Sequence, residues 1–336
     1  MRLAVWQCLF WLMAVVGLTG CGRAETVALS STETPVAAPT VMSAMDAGGP
    51  SGRLAFTAAG DLHIISANGV GWQNLTRTPA YEGMPSWSPD GQWLAVVISE
   101  GCQGECEDGC ENLFVVPAEA TGDRSQYLRV TEGMTEVRAP AWSPDGEHLA
   151  FAANTEDAWG IFVALDPRGR QTCATCHQTP LPLQRLTRNT FYNGHPHWSP
   201  DGQRILYTSD RRSRWRALMI DLSGEQVTLL PGIEGLENSA YPTWSPDGRW
   251  IALAGQEAGG SWDIYLVSAD GAELMQLTSD PAADWGPAWS PDGLWLAFTS
   301  QRSGNGDLYI VRADGSEAPR RLTDSPLSES FPAWRP

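Results

Sequence analysis

The sequence predicts an all-β fold, a six-bladed β-propeller of four-stranded antiparallel blades closed by pairing of its N- and C-terminal strands. Three observations predict it. First, W-S-P-D-G occurs at Trp87–Gly91, Trp142–Gly146, Trp198–Gly202, Trp244–Gly248 and Trp289–Gly293, and a sixth copy begins at Trp334 and ends as W-R-P. Second, the Trp-to-Trp spacings are 55, 56, 46, 45 and 45, and a period in the forties marks a repeat architecture. Third, 34 Gly and 24 Pro in 336 residues imply many turns between short strands.

Composition narrows the chemistry. Apolar residues make up 42% of the chain, enough for a core and too many for a disordered protein. All 22 basic residues are Arg, against 39 acids, for a net charge of −17. That balance argues against a nucleic-acid or anionic-membrane surface, which both need basic patches. The lack of Lys excludes Schiff-base chemistry and a P-loop lysine.

Residues 1–20 read as an address. Arg2 supplies a short positive region, and residues 3–17 form an apolar stretch too short for a spanning helix, which needs about 20 residues. Leu18-Thr19-Gly20-Cys21 follows and resembles the bacterial lipobox. That resemblance implies cleavage before Cys21 and lipid attachment to it, with Gly22 leaning toward the outer membrane. Residues 21–52 are Ala, Ser, Thr, Pro and Gly with a few charges and no aromatic residue, so a disordered tether is expected. Such a tether reaches roughly 30 Å, and the membrane is touched through the lipid alone.

Residues 53–336 hold the repeats. In the copy Pro287–Thr323, "PAW" is a first strand and "SPDG" a turn, with Pro291 presetting φ and Gly293 taking the left-handed conformation. "LWLAFTS" is a second strand, "GDLYIVRADG" a third with its own Asp-Gly turn, and "RRLT" a fourth. The segment Arg53–Thr76 contains strands two, three and four without a first, and Phe331–Trp334 is a first strand without a blade after it. Joined, they complete one blade and hide the ring's open edges. One Trp per blade is expected to fill the wedge between neighbours, and Trp93, Trp250 and Trp295 to cover blade faces.

The pattern P-x-W-S-P-D-G…LAF…IY…DG…LT resembles the WD40-like PD40 repeats of TolB-type β-propellers. The resemblance implies fold far more than function. TolB proteins carry an α/β domain before the propeller and prolyl-oligopeptidase relatives a hydrolase after it. This chain shows only the tether, stops at Pro336 and has no G-x-S-x-G, so a stand-alone, monomeric propeller is expected.

Three constellations carry candidate chemistry. Cys102, Cys106 and Cys110 fall between the second and third strands of blade 2, and Cys173 and Cys176 between the third and fourth of blade 3; these insertions account for the two long spacings. In an oxidising envelope they are read as loop disulfides, with Cys173–Cys176 the candidate pair and the other pairing open. Cys173-Ala-Thr-Cys176-His177 also matches the c-type haem motif C-x-x-C-H, but its polar flanks favour the disulfide. His195-Pro-His197 places two imidazoles on one face of an inner strand, a candidate pair for a divalent cation. Oligogalacturonate lyases, TolB-like propellers that bind metal through histidines, make a carbohydrate-active enzyme the rival reading. Five or six residues before each Trp stands a carboxylate or amide: Glu82, Glu136, Asn193, Asn238, Asp284 and Glu329. These are expected to stand in water as an acidic rim around one channel mouth, suited to a cation or a basic segment. The preferred expectation is a non-enzymatic envelope lipoprotein without cofactor, whose propeller binds a protein or peptide.

Overall fold

The computed structural model describes residues 49–78, 80–99, 111–119, 124–132, 134–155, 158–168 and 181–336. Cys21, Cys102, Cys106, Cys110, Cys173, Cys176 and His177 lie outside the described residues, so the lipid, disulfide and haem assignments are not placed.

Twenty-four strands among the described residues form six four-stranded sheets, each antiparallel. Blade 1 pairs the C-terminal strand Glu329–Trp334 with Arg53–Ala58, in register Leu54↔Trp334, Ala55↔Ala333, Thr57↔Ser330 and Ala58↔Glu329. The ring therefore closes where the split blade predicts. The inner strands of blades 2 to 6 are Tyr81–Trp87, Glu136–Trp142, Asn193–Trp198, Asn238–Trp244 and Asp284–Trp289. Each runs several residues upstream of the P-x-W segment that marks it in the sequence.

The SPDG turns are locked by more than proline and glycine. Each turn Gly has φ between 64° and 71°. The turn Ser also accepts the N–H five residues on, as in Trp93 N→Ser88 Oγ at 3.0 Å and Trp250 N→Ser245 Oγ at 2.9 Å, while donating to the turn Asp. That Asp accepts the backbone N–H two residues later, an Asx-turn.

Core packing lies between blades. The motif residues Trp87, Trp142, Trp198, Trp244, Trp289 and Trp334 are all buried, as expected. Four indoles also donate to a carbonyl of the preceding blade: Trp87 to Ala333, Trp198 to Ala141, Trp289 to Thr243 and Trp334 to Ala288. Trp142 and Trp244 find no Nε1 partner. Trp295 is buried beneath Arg312 and Arg320, whereas Trp93 and Trp250 pack partly exposed beside the core. Within five blades the Thr just after the fourth strand fastens it to the third: Thr76, Thr131, Thr187, Thr278 and Thr323 accept the N–H of Leu62, Leu113, Ile161, Ile264 and Leu308.

Candidate functional site: the central channel

Every inner strand carries a bulge at the same place, shown by a one-residue register shift in all six blades. The residue before the P-x-W proline takes a left-handed backbone there: Phe331 (φ 56°), Met84 (54°), Ala139 (48°), His195 (53°), Tyr241 (54°) and Gly286 (62°). In five blades a side-chain-bearing residue adopts a conformation that costs roughly 1–2 kcal/mol. Strain repeated at one position commonly marks a functional surface. Here it directs this ring of residues inward.

They line a central channel of about 590 Å³. Deeper toward the SPDG turns the wall continues with Ser86, Ala141, His197, Thr243, Ala288 and Ala333, and then with a ring of turn prolines. This volume is in the range of ligand pockets, which are apolar with a few polar groups.

Both histidines face this channel and both are neutral near pH 7. Burial, reinforced by the Arg138 charge, pushes His195 down to about 3. Burial pushes His197 down to about 4. The His195 ring packs 4.2 Å from the Tyr241 ring. His197 Nδ1 lies 3.2 Å from the Trp244 N and 3.1 Å from the Trp198 carbonyl oxygen, so it accepts from the first or donates to the second according to its tautomer. Among the described residues no three His, Cys, Asp or Glu side chains converge as a metal-holding group.

The acidic rim needs correction. Glu82, Asn193, Asp284 and Glu329 are buried, with no exposed surface. Glu82 accepts from Thr78 and Arg124 at 2.8 and 2.9 Å. Asn193 donates to Trp159 O in the preceding blade. Asp284 pairs with Arg302 at 2.7 Å. Glu329 accepts from Thr323 at 2.8 Å and from Ser325. Glu136 and Asn238 are instead partly exposed, Glu136 bound to Arg138 at 3.4 Å and Asn238 to Gln256 at 2.8 Å. The reason is strand alternation: residues five and six before the Trp point to opposite sides of the strand. The four at five are sealed between blades as ties, and only the two at six reach the surface.

Anionic charge collects at the other mouth. The Asp of each SPDG turn (Asp90, Asp145, Asp201, Asp247 and Asp292) follows a channel-lining proline and is exposed at the turn, or nearly so. The serine hydroxyl and a backbone N–H hold Asp145 and Asp201 below the usual carboxylate range, and bring Asp247 to about 2 with help from Arg249. Arg168 pairs with Asp90 at 2.8 Å and Arg249 with Asp247 at 2.6 Å. Asp201 and Asp292 have no ion-pair partner among the described residues. The sequence carried this ring in the motif itself, where the Asp reads as turn chemistry.

Comparison with known proteins agrees with this blade plan. Residues 233–336 match the PD40 family, described as TolB beta propeller domain. The chain is 32% identical over 222 residues to an uncharacterized protein of Agrobacterium fabrum, covering 65% of this chain and 64% of that one. It is 43% identical over 93 residues to the Tol-Pal system protein TolB of Anaeromyxobacter dehalogenans, 27% of this chain and 20% of that one. The matches thus span less than two thirds of either relative. Among solved structures, TolB from Acinetobacter baumannii superposes with a TM-score of 0.69 at 22% identity, over 86% of this chain and 68% of that one, a likeness of fold. By its repeat, its blade plan and these matches, the propeller is similar to the TolB β-propellers, and residues 233–336 match their PD40 family.

Proposed function

We propose that this chain is a cell-envelope lipoprotein, tethered to the membrane through Cys21, whose propeller binds a protein or peptide partner through its central channel. The observation that carries this reading is the ring of residues held on bulges in all six blades, where backbone strain is accepted to place side chains in the channel. Gly would take this left-handed backbone without strain, yet five of the six positions keep a side chain. The likeness to TolB, a protein named for the Tol-Pal system, supports a protein partner and directs the search to the envelope. The SPDG mouth, ringed by five aspartates, favours a partner segment that carries positive charge.

The test is capture from solubilised envelope membranes with the full chain as bait, beside a Gly286→Phe variant that plugs the channel. Phe331 already occupies the equivalent position of blade 1 at φ 56°, so the plugged protein should fold. A partner held by the native chain and lost from the plugged one is the expected result. A partner held equally by both would place binding outside the channel.

A further inference from the structure

We infer that Gly286 opens a slot in the channel wall that takes the guanidinium of an arginine side chain from the partner. The inference rests on the channel reading above and specifies its chemistry.

Around the ring the inward positions run Phe331, Met84, Ala139, His195, Tyr241 and Gly286 in blade order. Two of the six are small. At Ala139 the gap is covered, because the Met84 thioether accepts the Ala139 N–H at 3.3 Å and so lies across it. At Gly286 nothing comes within 4 Å of where a Cβ would stand. The inner strand of blade 6 packs between those of blades 5 and 1, so this opening is flanked by Tyr241 on one side and Phe331 on the other.

Two aromatic neighbours with an open floor select a flat group. Charge selects among flat groups. The channel leads to the aspartates of the SPDG mouth, and the chain carries a net charge of −17. Arg302 of blade 6 pairs with Asp284 at 2.7 Å, and Arg138 across the ring pairs with Glu136 at 3.4 Å, though the Arg138 charge is still felt at His195 and Tyr241. His195 and His197 are neutral and do not repel a cation. A planar cation that stacks on aromatic faces is a guanidinium; the lysine ammonium is compact and more strongly hydrated.

Three capped tripeptide amides serve as probes: acetyl-Gly-Arg-Gly, acetyl-Gly-Lys-Gly and acetyl-Gly-Trp-Gly. Each is titrated into the full chain, into Gly286→Phe and into Phe331→Ala, with binding followed by NMR shift perturbation. The arginine probe should bind the native chain at least fivefold tighter than the lysine probe. It should weaken at least tenfold in Gly286→Phe and several-fold in Phe331→Ala, which removes one wall and leaves the backbone unstrained by bulk. Equal arginine binding to the native and plugged chains overturns the slot. Preference for the tryptophan probe overturns the cation, and the lack of any arginine binding overturns both. Those failures leave the channel reading standing if the plugged variant still loses the captured partner. Loss of neither sinks that reading independently.

Discussion

Trp87 Nε1 donates to the main-chain carbonyl of Ala333 at 3.1 Å, tying residues 246 positions apart across the seam of the ring. The bond fastens the C-terminal strand to blade 2. Trp142 occupies the equivalent place one blade on, equally buried and also beneath an arginine, yet its Nε1 has no partner.

That contrast makes a matched pair of substitutions. Trp87→Phe removes that bond, while the Ala333 carbonyl keeps its ladder partner Ala55, and should cost about 1 kcal/mol more than Trp142→Phe, since a hydrogen bond contributes ~0.5–1.5 kcal/mol net. Urea denaturation of both variants measures it. Equal losses would show that the indoles act by packing alone.

Backbone strain at the channel ring gives the second prediction. Ala139 sits at φ 48°, so Ala139→Gly should be neutral or stabilise by up to ~1 kcal/mol. Ala150, fully buried in a regular central strand, should lose ~1 kcal/mol or more on the same change. Thermal denaturation of the two variants decides the point. A139G as damaging as A150G would mean the bulge carries no strain.

Lipid attachment gives the third. Cys21→Ser should abolish incorporation of labelled fatty acid and release the protein from washed membranes. Unchanged labelling would remove the lipobox reading, while leaving the propeller untouched.

How far the sequence could be read depends on which property each residue reports. Pro-x-Trp-Ser-Pro-Asp-Gly reports turn geometry and wedge packing, both local, so blade number and seam were legible from Arg53–Thr76 and Phe331–Trp334 alone. Glu82 and Glu136 look alike in sequence, yet one is sealed between blades and the other reaches water. Only the strand's alternation separates them, and the mixed offset of five and six was its trace. Gly286 carries no sign that its side of the ring is empty, because that depends on Met84, Tyr241 and Phe331 meeting from other blades.

The buried carboxylates give the last prediction, a dependence of stability on pH. Glu329 and Asp307 are both fully buried at the seam, where the Glu329 N–H donates to Gly306 O at 2.6 Å. Asp307 Oδ2 accepts from Arg321 at 2.8 Å and from Ser303, while its Oδ1 has no partner. A proton on Glu329 answers that orphan oxygen and removes the repulsion. Burial, with the Asp307 charge beside it, accordingly pushes Glu329 up to about 8. The other charged groups on elements packed against this strand have their own partners: Asp284 with Arg302, Glu82 with Arg124, Asp61 with Asn74, and Asp324 with Arg321. The folded protein therefore holds a proton that the unfolded chain releases in the ordinary glutamate range. Its stabilising contribution is complete below that range and is lost as pH rises through about 8. The loss is on the order of a few kcal/mol, at ~1.4 kcal/mol per pKa unit. Burial raises Asp284 and Asp263 in the same direction, so the native profile alone does not isolate Glu329. The comparison with Glu329→Gln does: its amide can donate to Asp307 at any pH, so the fall in stability between pH 6 and 9 should be shallower than in the native chain. Carbon-13 titration of the Glu329 carboxyl in the native protein reads the same event without a variant. A midpoint in the ordinary glutamate range, or parallel stability profiles for the two proteins, would rule out the shared proton.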